Sequence, residues 1–88
     1  MSKILSYLFL LILIPIILYF IIAGVVAGSF NDVSIGVLVF YILAILHIVI
    51  SLAKPILMPT SIILILMIVF GGHDFITEMI ITAMGIVW

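Results

Sequence analysis

One side chain that could do chemistry is a histidine inside an apolar stretch. His47 stands within Val33 to Ala53, and an imidazole at membrane depth is costly enough to be a functional hypothesis by default. It could ligate a haem or contact a quinone, but a bis-histidine haem needs a second histidine at matching depth, and His73 falls in a predicted loop. We therefore expect no metal or haem on His47. We interpret it as a neutral imidazole that donates to a neighbouring helix, helped by Tyr41 or Ser51.

A second candidate is a group of ionisable residues that follows a glycine pair. His73, Asp74 and Glu78 come after Gly71-Gly72, and the two carboxylates share a helix face because they are four residues apart. Such groups can bind a metal, and a membrane carboxylate such as Glu78 can carry a proton. Acidic residues are also favoured by the helix dipole in a first helical turn. If the acidic residues are there because of the helix dipole, the group holds neither a metal nor a cofactor, and this is the interpretation that we adopt.

No other catalytic pattern stands out in the sequence. There is no cysteine, which excludes disulfides, thiolate metal sites and cysteine nucleophiles. A Ser-His-Asp order, a phosphate-binding glycine loop and paired zinc ligands are all missing. The aromatic residues Tyr7, Phe9, Tyr19 and Phe20 fit lipid-facing or helix-packing positions. We therefore predict that the chain is not an enzyme.

The elements that must position these residues are membrane helices. Of 88 residues, 70% are apolar and only five are charged, two Lys and three Asp or Glu. A water-soluble fold of this composition would expose far too much apolar surface. The net charge of -1 and the lack of a basic cluster exclude sequence-specific nucleic-acid binding. The sequence therefore predicts an all-α integral membrane protein.

Turn residues and charges coincide at three places and divide the chain into three to four apolar helices in a hairpin-like arrangement. The first two segments are long enough to cross a bilayer, which takes about 20 helical residues. The last two are each shorter than that length. The predicted helices cover residues 4–27, 33–53, 56–70 and 75–88, with breaks near 28–32, 54–55 and 71–74.

Local features refine the first two helices. Pro15 should kink the first helix because it lacks an N–H. Gly24 and Gly28 form a GxxxG spacing for close helix packing, although Gly28 could instead simply end the helix. Asn31 or Asp32 is a good N-cap for the second helix. The first segment also resembles a secretory leader, but its length and the internal proline lead us to expect that it is retained.

The second half of the chain allows several topologies. The last two segments are either two short crossings or one interrupted arm, and a bend without reversal at Lys54 would make one very long helix. Four alternating crossings would put Lys3 and Lys54 on the cytoplasmic side, because lysines near helix ends prefer that side. The same topology would put Asp32 and Asp74 together on the other side.

From Ala53 onward the chain resembles the subunits of conjugative, type IV secretion pili. The residues that carry the resemblance are Ile68 to Gly72, followed by Met79 to Ile86, as the end of one helix, a loop and the next helix. Lys54-Pro55 is the other candidate loop. The resemblance implies a helical hairpin that is stored in the membrane and then polymerises into a hollow tube with bound phospholipid. Archaeal relatives of these pili, which import DNA, fit the Ile-rich composition and a retained N-terminus better than the other members.

This resemblance implies roles for particular residues. Lys54, His73 and Asp74 would face a lumen or contact lipid headgroups, and DNA would meet them without sequence recognition. Independently of the resemblance, Gly24 and Gly28, through their GxxxG spacing, and Gly85 are expected to pack helices together. The partners would be copies of the same chain and membrane lipid, and the location would be the membrane or an extracellular filament. Two other classes stay open: an accessory subunit of a respiratory or ammonia-oxidising membrane complex, and a holin-like pore former.

Overall fold

The computed structural model describes residues 3–88, which form helices joined by short turns, with no strand among them. This confirms the predicted all-α fold class. The element bounds are α1 Lys3–Phe30, α2 Val33–Ala53, a 3₁₀ turn Pro55–Leu57, α3 Met58–Leu66, a π-helical segment Met67–Gly71 and α4 Gly72–Val87. The elements from Pro55 to Val87 follow one another without a loop, and we call them the third arm.

Three helical units within residues 3–88 are long and apolar enough to cross a membrane. They are α1, α2 and the third arm, whose most apolar 18-residue stretches have mean hydropathies of 3.0, 2.8 and 2.2. The bundle is 41 Å along its longest axis, which matches the roughly 40–45 Å of a bilayer with its headgroups. A straight helix of the third arm's 33 residues would measure about 50 Å. The third arm must therefore bend to fit beside the other two.

The turn between α1 and α2 is made by two residues. Asn31 has a positive φ of 52°, and the Oδ1 of Asp32 accepts from the backbone N–H of Ser34 at 2.9 Å. Asp32 is thus the N-cap of α2, one of the two predicted candidates. The first helix continues past Gly28 to Phe30, so Gly28 does not end it.

The second turn reverses the chain at Lys54. Lys54 has extended backbone angles and Pro55 begins the 3₁₀ turn, as expected because proline disfavours helical geometry in the residue before it. After this turn, Leu57 lies beside His47 of α2. The chain therefore folds back on α2, and the very long continuous helix is wrong.

The third arm is interrupted near the predicted place but does not reverse. Gly72 has φ 72° and ψ −173°, a conformation that glycine adopts readily. Its direction is clear from two contacts with α1: Thr60 bonds to Leu11, and Ala83 lies against Gly24. The third arm thus runs parallel to α1 as one interrupted crossing.

This direction corrects the four-crossing topology. Lys3 and Lys54 do lie at the same end of the bundle, because α1 and α2 are antiparallel. Asp74 does not join Asp32 at the other end, because it belongs to the middle of the third arm. A single residue with positive φ redirects a helix without supplying the extended segment that a reversal needs.

The core lies where the three arms meet. Phe20 of α1 stacks on Phe40 of α2 with ring centroids 4.2 Å apart, and Ile76 and Ile80 of α4 are fully buried beside them. Large apolar side chains cover most of the outer surface of all three arms. That surface is suited to lipid or to neighbouring apolar helices.

Candidate functional site

The buried histidine belongs to a hydrogen-bonded chain that joins all three arms. His47 of α2 is 5% exposed, its Nδ1 lies 2.6 Å from the Tyr19 hydroxyl of α1, and its Nε2 lies 3.3 Å from the carbonyl oxygen of Leu57. A carbonyl only accepts, so Nε2 carries a proton in this contact. In the Nε2–H tautomer, Nδ1 accepts from the hydroxyl of Tyr19.

Both ring nitrogens of His47 are thus already used. The interpretation of His47 as a neutral donor to a neighbouring helix agrees with this geometry. Its predicted helpers are wrong: Tyr41 packs its ring against Phe40, and the hydroxyl of Ser51 donates to Ile48 in its own helix. The partner is Tyr19, for which the sequence had indicated only packing.

A shallow groove of about 430 Å³ opens beside this pair. Apart from Tyr19 and His47, its lining is apolar, with side chains from both α1 and α2 and Leu57 from the third arm. The two polar groups point toward each other and toward the Leu57 carbonyl, so they present little free hydrogen-bonding capacity to a ligand. The groove is suited to an acyl chain or an apolar side chain.

A second polar contact compensates for the proline in α1. Because Pro15 has no N–H, the carbonyl of Leu11 has no donor within the helix. Thr60 of α3 is fully buried, and its hydroxyl donates to that carbonyl at 3.1 Å. The sequence had predicted an effect of Pro15 on the helix, but it gave no sign of which residue would supply the missing hydrogen bond.

Small residues join the other end of the bundle. A Cβ at Gly24 would lie 2.9 Å from the Cβ of Ala83, and one at Gly36 would lie 2.6 Å from the Cβ of Ala27. Gly28 lies against the ring of Trp88. The predicted packing role of Gly24 and Gly28 thus agrees with their contacts. Gly36, in α2, was not among the predicted packing residues.

The third arm carries a polar stripe on its outer side. Asp74, Glu78, Thr82 and Gly85 of α4 are all exposed, and their spacing of four, four and three residues puts them on one helix face. We call these four residues the outer stripe. Gly85 has open space around it, so no helix of the same chain packs against it and its predicted packing role stays a prediction about neighbouring copies.

The remaining predicted polar residues are also exposed. His73 precedes Asp74, and its carbonyl accepts from the hydroxyl of Thr77 at 2.8 Å. No three His, Asp or Glu side chains within residues 3–88 are grouped closely enough to hold a metal. Lys54 is exposed at the tip of the turn between α2 and the third arm.

The comparisons with known proteins add nothing to this geometry. No family model, curated protein or solved structure matches the chain. The class that the fold itself defines is a bundle of three helices that could cross a membrane. The distribution of polar groups on the bundle surface is therefore the feature that bears on its function.

Proposed function

We propose that this chain is a structural subunit that assembles with copies of itself into a hollow filament of the conjugation or DNA-transfer pilus type, with phospholipid in the gaps. The observation that carries the proposal is an asymmetry of the bundle surface. In the part of the chain that the structure describes, exposed acidic and imidazole side chains within the apolar helices occur only on the third arm: His73, Asp74 and Glu78.

Exposed ionisable groups at this depth are expensive against lipid. Such groups almost always face a protein interior or a water-filled cavity. A single bundle offers neither, because these three side chains point away from its own core. A ring of copies with their third arms inward would give them a common aqueous lumen.

The other two arms suit the outside of such an assembly. Between their ends, α1 and α2 expose almost only large apolar side chains, among them Ile14, Leu18, Leu38 and Leu46. These faces would pack against neighbouring copies, and acyl chains would fill grooves such as the one beside Tyr19 and His47. Phospholipid is therefore the non-protein component that we expect in the filament.

The lumen would carry both signs of charge. Each copy would contribute Lys54 at the start of its third arm and Asp74 and Glu78 further along. A conduit must bind its cargo weakly enough to release it, and a lining of mixed sign meets that requirement for a nucleic-acid backbone. The DNA-transfer role itself rests on the resemblance of the second half of the chain to conjugative pilins.

Electron microscopy of native particles purified without detergent exchange tests the proposal. We expect many identical copies on a helical lattice around a channel. One copy beside larger cofactor-bearing chains would overturn the proposal and support an accessory subunit. Deletion of the chain should also abolish DNA transfer between cells, and unimpaired transfer would contradict the DNA-transfer role.

The same asymmetry favours a second candidate, a holin-like pore. A ring that stays in the bilayer could also turn the outer stripe toward a water-filled channel. The two candidates differ in axial arrangement: a pore needs all copies at one height, whereas a filament needs copies displaced along an axis. The lattice seen by electron microscopy therefore separates them.

A further inference from the structure

We infer that Lys54 of one copy pairs with Asp74 and Glu78 of a neighbouring copy, and that this contact exists only in the filament. The inference rests on the proposed function and names the contact that holds its copies together. The partner is a second copy of the chain because the chain itself supplies both halves of a complementary pair.

These charges have no partner among the described residues. Lys54, Asp74 and Glu78 are all exposed, and no ion pair joins Lys54 to either carboxylate within residues 3–88. Yet all three belong to the third arm or to the turn that begins it. If third arms meet one another around a lumen, Lys54 is the cation closest to the neighbour's outer stripe. Opposite charges on the wall of an aqueous lumen attract only weakly as a single pair, but a filament repeats the pair at every copy.

The distance along the bundle axis decides where this pairing can form. Thr60 lies level with Leu11 and Ala83 level with Gly24. Lys54 is six residues before Thr60, and Asp74 is nine residues before Ala83. Leu11 and Gly24 are separated by 13 residues of α1, so at a rise of ~1.5 Å per residue Lys54 and Asp74 are about 15 Å apart along the axis.

A flat bilayer does not allow this offset. Two parallel copies that pair in this way must be displaced by about 15 Å, half of a hydrocarbon core that is about 30 Å thick. Inverting one copy does not help, because Asp74 lies near the middle of the bundle in either orientation. The pair therefore forms when copies leave a common height and stack with an axial stagger, as in a helical filament.

The outer stripe also leaves room for this neighbour. Gly85 ends the stripe with nothing within 4 Å of the position where a Cβ would be. The backbone of α4 is therefore accessible on the side that carries Asp74 and Glu78, and another helix can approach closely there.

Thiol crosslinking tests the contact while all charges stay in place. The chain has no cysteine, so Ala53→Cys beside Lys54 and Thr77→Cys beside Asp74 can be introduced together. Filaments and membrane vesicles are treated with a short bifunctional thiol reagent. We expect a ladder of crosslinked oligomers from filaments and none from vesicles. Ala53→Cys with Ser34→Cys, at opposite ends of α2, is the matched control and should give no ladder.

The outcomes separate this inference from the proposed function. Filaments without a ladder would overturn the inference and leave the pilus proposal standing. A ladder from vesicles as strong as that from filaments would overturn the requirement for stagger. Chains that form no homo-oligomer of any kind would overturn both.

Charge reversal gives an independent test. Lys54→Glu alone, or Asp74→Lys with Glu78→Lys, should lower the filament yield at least about tenfold, because like charges would then face each other at every contact between copies. All three substitutions together should restore the yield, and Lys3→Glu at the same end should leave it unchanged. Wild-type yield from Lys54→Glu, or no recovery in the combined variant, would contradict the pairing.

Discussion

The two ends of the bundle hold their helices together in different ways. At the end that carries Lys54, hydrogen bonds cross between arms, from Thr60 to Leu11 and from Tyr19 through His47 to Leu57. We call this the polar end. At the end that carries Asp32, the contacts are between small residues, Gly24 with Ala83 and Gly36 with Ala27. We call this the glycine end.

This difference reflects the two forces that remain available in lipid. Apolar side chains gain little by leaving acyl chains, so membrane helices associate through close van der Waals packing and through interhelical hydrogen bonds. The polar end is held by hydrogen bonds, one of which satisfies the carbonyl that Pro15 leaves free. The glycine end has no such carbonyl and is held by close van der Waals packing. The π-helical segment of the third arm, with Phe70 81% exposed, lies between them.

Overfilling the glycine end should have the largest effect. A Cβ at Gly36 would lie 2.9 Å from the backbone oxygen of Ala23 as well as 2.6 Å from the Cβ of Ala27, and backbone cannot move aside cheaply. We expect Gly36→Leu to lower the free energy of unfolding by about 3 kcal/mol. Reversible unfolding in bicelles measures this value.

The matched control is Gly85→Leu, since Gly85 has open space around it within one chain. It should change monomer stability by no more than about 0.5 kcal/mol. Equal losses from the two substitutions would mean that the glycine end is not held by close packing.

Removing the donor at the polar end should have an intermediate effect. Thr60→Val keeps the shape of the side chain but leaves the buried Leu11 carbonyl unpaired, which should cost about 1–3 kcal/mol. Pro15→Ala restores an N–H to that carbonyl, so the double variant should lose clearly less than Thr60→Val alone. Simple additivity in this double-mutant cycle would show that Thr60 and Pro15 do not share the carbonyl.

Breaking the histidine contact should have the smallest effect. Hydrogen bonds between membrane helices average about 0.6 kcal/mol, so Tyr19→Phe should lower the free energy of unfolding by roughly that amount. The ¹⁵N spectrum of His47 provides a sharper test of the arrangement. We expect a proton on Nε2 and an accepting Nδ1 whose resonance shifts in Tyr19→Phe, whereas an unshifted resonance would rule out the contact.

The sequence was a good guide where several signals coincided. Asp32 and Lys54-Pro55 each combine a charge with a turn or cap residue, and both turns are found there. Gly71-Gly72 predicted an interruption as well, but a glycine pair does not reveal whether the chain turns back, and here a positive φ at Gly72 only redirects the helix.

The side-chain contacts were harder to predict than the turns. The contact between Tyr19 and His47 depends on how α1 and α2 rotate against each other, and almost every surrounding residue is apolar. No periodic pattern in such a sequence distinguishes an inward from an outward face. Gly36 was not predicted as a packing residue, because an isolated glycine is common in membrane helices and does not by itself indicate a contact.

A reconstruction of native particles by electron cryomicroscopy, at a resolution that shows side chains, would reveal which way the acidic side chains of α4 face. We expect helically arrayed copies with Asp74 and Glu78 turned toward a central lumen, and the apolar faces of α1 and α2 turned toward neighbours and lipid. Asp74 and Glu78 on the outer wall, or a single copy packed against unrelated chains, would contradict this expectation.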